Sequence, residues 1–254
     1  MCIRDSPASD DYRLALRLGF VEHGLPQEIQ CDHASIFYDN QHESPFPTLF
    51  HLWLISLGIK VVFSRVRIPQ DQGKVERQHR TTWAQIQRKK GFQAWLKLYD
   101  HAQKRRFMLN HHIPCRTLDE KAPLEVFPDN YHSGRIYRPE QELTLMDLMK
   151  VDHFLQKKSW TRTVCANGAV KIANKQYYLK RAGAQVGDKL TIKYDAFTRN
   201  FSFFKDDLLL GHRLAKGIEK SNLIGEYPLR MLPGFQLQIP FDTHSECLLR
   251  LFES

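Results

Sequence analysis

Between residues 160 and 215 the hydrophobic pattern changes its period to two, and that change restricts the folds open to the chain more than any other feature. Leu190, Ile192 and Tyr194 alternate with Lys189, Thr191 and Lys193, while Phe201 and Phe203 flank Ser202. Asn167-Gly168 is a hairpin-turn signal. Four or five short strands of this kind predict a small β-barrel or curled sheet over 156–215. Upstream the texture is helical with two extended runs. Residues 11–23 place Leu14, Leu18 and Val21 at helical spacing, with Arg13, Arg17 and Glu22 elsewhere on the surface, and Gly24 and Pro26 stop that helix. Glu28 to Asp32 alternates like a strand, 48–57 reads as a buried helix capped by Gly58, and 59–66 is a β-branched strand. Helical patterns follow at about 74–90 and 92–110. The chain thus reads as α/β over 1–116, a proline-punctuated connector over 117–155, the β-rich segment, and an irregular tail over 216–254.

Charge narrows the function classes. The 254 residues carry a net charge of +9, but unevenly. Residues 1–58 hold 3 basic and 8 acidic side chains, a net of −5, whereas 59–116 hold 14 basic and 3 acidic, a net of +11. A stripe that exceeds the charge of the whole chain and is rich in arginine is the footprint expected of a phosphate-backbone binder. A solvated basic helix face is the competing explanation. Arg65, Arg67, Lys74, Arg77, Arg80 and Arg88 are the DNA-binding candidates. No apolar run approaches the ~20 residues of a membrane helix. Five scattered cysteines without a CxxC pair argue against a disulfide framework, so a cytoplasmic, nucleoid-associated protein with no membrane partner is expected. The spacing of His101, His111, His112 and Cys115 does not match a zinc finger.

Two acids are candidate catalytic and metal-binding residues. Asp32 ends a short strand, and Glu76 lies in the first turns of a helix entered through a Gly-containing loop. Carboxylates on neighbouring rigid elements can share hard divalent cations, as phosphodiester chemistry requires. Most strand-end aspartates instead cap a turn or helix, so position alone leaves both roles open. On the Glu76 helix, Arg80 shares the acid's face, with Lys74 and Arg77 flanking it, and a simple ion pair between Glu76 and Arg80 is the plainer alternative. Val75, His79, Trp83 and Ile86 are expected on the buried side.

The residues around both acids carry a resemblance. The stretch 16–32, LRLGFVEHGLPQEIQCD, resembles the segment leading to the second catalytic Asp of retroviral-type integrase cores and insertion-sequence transposases. The stretch 58–81, GIKVVFSRVRIPQDQGKVERQHRT, resembles their third-acid motif, most specifically from Pro69 to Thr81. Asn110 to Phe127 resembles a further family segment, and 160–215 is more weakly similar to the β-module after the core. The resemblance covers about residues 11–128. It implies a ribonuclease-H-like core with an Asp-Asp-Glu triad and two Mg²⁺ or Mn²⁺ ions, Asp32 as second acid and Glu76 as third. Such transposases cleave a DNA strand at an element's end and join it to target DNA, as homo-oligomers.

The pattern departs from the family in four places. His33-Ala34 stands where Asn-Gly usually follows the second acid, and Gln72 where Asn usually precedes Gly73. Between Asp32 and Glu76 lie 43 residues, more than is usual, with the surplus in the polar loop 38–47. The family's first Asp belongs well upstream of the second, and Asp5, Asp10 and Asp11 are too close to Asp32 to serve. The opening MCIRDS resembles translated sequencing-adapter read-through. The expectation is an N-terminally truncated transposase fragment lacking the first catalytic Asp and inactive alone. The alternative is a non-catalytic DNA-binding or assembly module derived from the same fold. In that case lysines at 171, 175, 180, 189 and 193 permit DNA contact by the β-segment, or the segment serves packing and multimerisation.

Overall fold

The computed structural model describes residues 8–65, 68–88 and 95–225, without some side chains of the helices between 73 and 111. Helix α1 (Ser9–His23) starts where the Asp11 carboxylate accepts the Ala8 N–H, and Asp10 and Asp11 suit the positive end of the helix dipole. Gly24, at φ 75°, ends it. The chain then forms β1 (Glu28–Cys31), helix α2 (Leu49–Ser56) and β2 (Lys60–Phe63). Strands β1 and β2 pair in parallel, from Glu28 opposite Lys60 to Cys31 opposite Phe63. A parallel pair needs a crossover, and α2 lies within it. Thr48 caps α2 by accepting the His51 N–H, and every residue from Phe50 to Leu54 is buried. Gly58 takes φ 70° just beyond the helix, as a left-handed C-terminal stop requires.

Helices α3 (Gly73–Arg88) and α4 (Trp95–His111) follow. Residues 117–155 are built into short helices: α5 (Pro123–Val126), α6 (Glu142–Leu145) and α7 (Leu148–Gln156). Val151 and Leu155 of α7 are fully buried, and α7 packs on α2 on one side and on the C-terminal sheet on the other.

That sheet contains β3 (Ser159–Thr163), β6 (Lys189–Asp195), β7 (Asn200–Lys205) and β8 (Leu208–Leu214), all antiparallel in the order β3-β6-β7-β8. Strands β4 (Ala169–Ile172) and β5 (Lys175–Tyr178) form a separate hairpin. The alternation seen in the sequence holds: Leu190, Ile192, Tyr194, Phe201 and Phe203 are buried. Tyr177 of the hairpin packs 5.6 Å from Phe201 and 5.8 Å from Phe203, ring centre to ring centre. The expected barrel is corrected, since the described strands form an open four-stranded sheet with a hairpin over it and do not close. A short helix, α8 (Lys220–Leu223), follows the sheet.

The hairpin turns also depart from expectation. Asn167-Gly168 forms the tight turn leading into β4, with Gly168 N–H donating to Cys165 O. Two of the hairpins, β4–β5 and β7–β8, reverse at Ala173-Asn174 and Asp206-Asp207, all four residues at positive φ and none a glycine.

A second correction concerns α1. Its arginines do not sit on the surface, because Arg13 and Arg17 are buried, while Leu18 and Val21 are only half-buried. Arg17 donates from Nε and Nη2 to the fully buried Glu142, at 2.7 and 2.8 Å, and Nη2 also reaches Ile224 O. Glu142 accepts as well from Trp53 Nε1 and from the Tyr137 hydroxyl. Burial, and then the Glu142 charge, push the Tyr137 hydroxyl well above its ordinary pKa, so it stays a donor. One carboxylate thereby ties α1, α2 and the segment before α6 together. One apolar cluster runs from Phe20 through α2, α7 and the sheet to Leu223.

Candidate active site

Asp32 and Glu76 are both carried at the C-terminal end of the parallel strand pair. Asp32 is the residue directly after β1, and Glu76 lies in the first turn of α3, the helix entered from β2. In open α/β sheets this is the end where ligands are bound. Ser64 N–H donates to Cys31 O and extends the ladder one step past β2, bringing the two exit segments side by side.

The turn between β2 and α3 is fastened to the strand ends by three polar side chains. Gln30 Nε2 donates to Ser64 Oγ at 3.1 Å and to Asp71 O at 3.2 Å. Gln72 Nε2 donates to Ser64 Oγ at 3.1 Å, and Ser64 Oγ donates to Cys31 O. Asp71 accepts from the Arg65 backbone N–H at 2.8 Å and from both sides of its guanidinium at 3.1 and 2.7 Å. These hydrogen bonds, foremost those from the Arg65 side chain, pull the Asp71 carboxyl down to about 2. Gln72, which departs from the resembled pattern, is therefore part of the brace. Gly73 has φ −55° and open space where a Cβ would be, so neither conformation nor crowding demands glycine, and its N–H donates to Gln70 O.

Among the sequence candidates, Arg65 is exposed but holds Asp71, and Arg67 lies outside the described residues. Arg77 and Arg80 are exposed, and among the ion pairs of the described residues none joins Arg80 to Glu76. The side chains of Lys74, Arg88, Trp83 and Ile86 lie outside the described set, although α3 itself extends through Arg88. The expected buried side is corrected where it can be seen: Val75 is 55% exposed, and His79 is exposed too.

Asp32 is exposed, and its Oδ1 accepts the Ala34 N–H at 3.0 Å in an Asx turn. Beneath it Cys31 is buried; burial first, then the Asp32 charge, push the thiol up to about 11. A protonated, buried thiol is neither a nucleophile nor a metal ligand at neutral pH. His33 packs edge-on to Tyr38, with ring centres 4.6 Å apart, and lies 5.6 Å from Phe63. It fills the corner behind Asp32 at the end of β2. Nothing in the local sequence signalled this packing, or the buried histidine His51, whose ring centre is 5.3 Å from Phe63.

The oxygen donors of Asp32 and Glu76 are of the type Mg²⁺ and Mn²⁺ take. Among the described residues, however, no three His, Cys, Asp or Glu side chains come close enough together to hold a metal ion. The donor set on view is two acids without a third. No helix of the described residues is long and apolar enough to cross a membrane. No known family's sequence model matches the chain.

Proposed function

We propose that the chain is a portion of a DDE-type transposase that contributes the second and third acids, Asp32 and Glu76, of a DNA cleavage and strand-transfer site. The supporting observation is that both acids leave the same end of the β1–β2 pair, beside a helix whose exposed face carries Arg77 and Arg80. In this reading the arginines hold the phosphate backbone. Asp32 and Glu76 would hold Mg²⁺ or Mn²⁺, which supplies Lewis-acid activation when bound. In this reading the first acid lies outside the described residues, among which no third metal-holding side chain joins these two. The protein would act as a homo-oligomer on DNA in the bacterial cytoplasm.

A second reading, a non-catalytic DNA-binding or assembly module, draws support from the Asx turn of Asp32 and from the lack, among the described residues, of a group of three metal-holding side chains. Fluorescence anisotropy with a labelled DNA duplex tests what the readings share. With about four phosphate contacts, affinity should fall about 100-fold between roughly 50 and 200 mM salt. A flat salt response would overturn both. They separate in a longer chain that includes an upstream acid. There, Mn²⁺-dependent nicking lost in Asp32→Asn and Glu76→Gln supports the transposase reading. DNA binding without nicking leaves only the module.

A further inference from the structure

The loop that follows Asp32 is seated on the C-terminal sheet. Asp39 accepts from the amides of Gln41 and Phe46, from His42, and from Arg162 Nη2 at 3.3 Å. Arg162, on β3 and buried, also donates from Nη1 to Ser44 O at 2.6 Å. Trp160 Nε1 donates to Pro45 O at 3.1 Å, and Ser44 Oγ to Ser159 O at 3.3 Å. The buried ring of Phe46 lies 4.8 Å from Trp160 and 5.9 Å from Phe201. Three residues of β3, Ser159, Trp160 and Arg162, are thus hydrogen-bonded to loop residues 39–46.

The same loop is continuous with the acid. Asn40 Nδ2 donates to His33 O at 2.5 Å, and the amides of Phe37 and Tyr38 donate to Ala34 O. Ala34 N–H in turn holds the Asp32 carboxylate. A path of hydrogen bonds therefore leads from Arg162 through Asp39, Asn40 and His33-Ala34 to Asp32. A buried arginine–aspartate pair is a weak source of stability, since desolvating both charges offsets most of their attraction. Arg162 Nε is buried without a partner, which adds to that cost. What a planar, forked guanidinium supplies here is geometry: it fixes a carboxylate and a carbonyl from one loop at once.

We propose that Arg162 is a positioning residue for Asp32, and that the C-terminal sheet clamps the acid-bearing loop through the Arg162–Asp39–Ser44 contact. The proposal deepens the reading of Asp32 as a site acid and rests on it only for why the position of Asp32 matters. Amide hydrogen exchange on the full chain tests it without DNA or metal. In Arg162→Met, and also in Arg162→Lys, which keeps the charge but loses the fork, the amides of Ala34, Phe37 and Tyr38 should exchange about tenfold faster. The β6–β7 amides, such as Ile192 and Phe203, should stay within about twofold. Asp39→Asn, which leaves β3 untouched, should reproduce the pattern should Arg162→Met fail to fold. Unchanged exchange at Ala34, Phe37 and Tyr38 overturns the proposal. So does acceleration spread equally over β6 and β7, which would make Arg162 a general support of the sheet. Full rescue by Arg162→Lys also overturns it. Loss of DNA binding in the unaltered chain would defeat the functional reading and leave this coupling standing, so the two failures are distinguishable.

Discussion

The open sheet and helix α3 are built on opposite terms. In β3, β6 and β7 the inward side chains, from Trp160 through Ile192 to Phe203, are buried to within a few per cent. In α3 every side chain described from Val75 to Thr81 is exposed, including the apolar Val75. Among the described residues, the sheet and the α1–α2–α7 layer therefore hold most of the buried apolar side chains, the main source of stability. The helix that carries Glu76 and the arginines is fastened at its start, by Gln30, Ser64, Gln72 and Asp71, and its first two turns face outward. A region whose polar side chains are left outside the core is available to a ligand, and its substitution should alter binding before it alters folding.

The contrast can be broken first at its strongest point. Glu142→Ala leaves Arg17 buried without its carboxylate and removes the acceptor of Trp53 and Tyr137, so unfolding in urea should show a loss of about 3–5 kcal/mol. A loss below about 1 kcal/mol would mean that the buried network does not anchor this half.

The next effect concerns pH. Burial foremost, with the nearby charge of Lys158, pushes His51 from 6.5 to about 4. The folded protein favours the neutral ring, and the unfolded chain takes up the proton first. Stability from this group is complete above about pH 6.5 and declines as pH falls toward 4, by about 3 kcal/mol in all. His51→Leu should flatten that slope; urea midpoints measured between pH 4 and 7 check it.

A smaller effect has the opposite sign. Asp207, at φ 65° in the β7–β8 turn, occupies a conformation glycine adopts freely, so Asp207→Gly should raise stability by about 0.5 kcal/mol in thermal unfolding. The smallest change in stability belongs to Arg77→Ala and Arg80→Ala, under about 0.5 kcal/mol each. Each should nonetheless reduce the salt slope of duplex binding by about 1 in anisotropy titrations. Large destabilisation by either would erase the distinction between the two regions.

What could be read from the sequence was what is local. Alternation at Leu190, Ile192 and Tyr194 marks a strand because each inward residue meets the same core, and Gly58 marks a helix end because of its own backbone. Arg17 looked like a surface residue because its partner, Glu142, is 125 positions away. Arg162 and Asp39, 123 positions apart, gave no local signal either. The hairpin turns at Ala173-Asn174 and Asp206-Asp207 lack the glycine that usually announces them. Barrel closure is a property of strand pairing, which alternation does not encode. Asp32 and Glu76 were legible as candidates from the strand-end and turn patterns, and the surroundings of Asp32, formed by His33, Tyr38 and Phe63, were not.

The bond from Arg17 to Ile224 spans 207 residues. At ~5–20 residues per second, a ribosome needs about 10–40 s to make the stretch between them. Throughout that interval the first helix exists without the carbonyl that completes its inner face, and for much of it without Glu142 as well. An emerging chain must therefore keep a guanidinium meant for the interior in water, and the closing of this contact waits on the segment that follows the sheet.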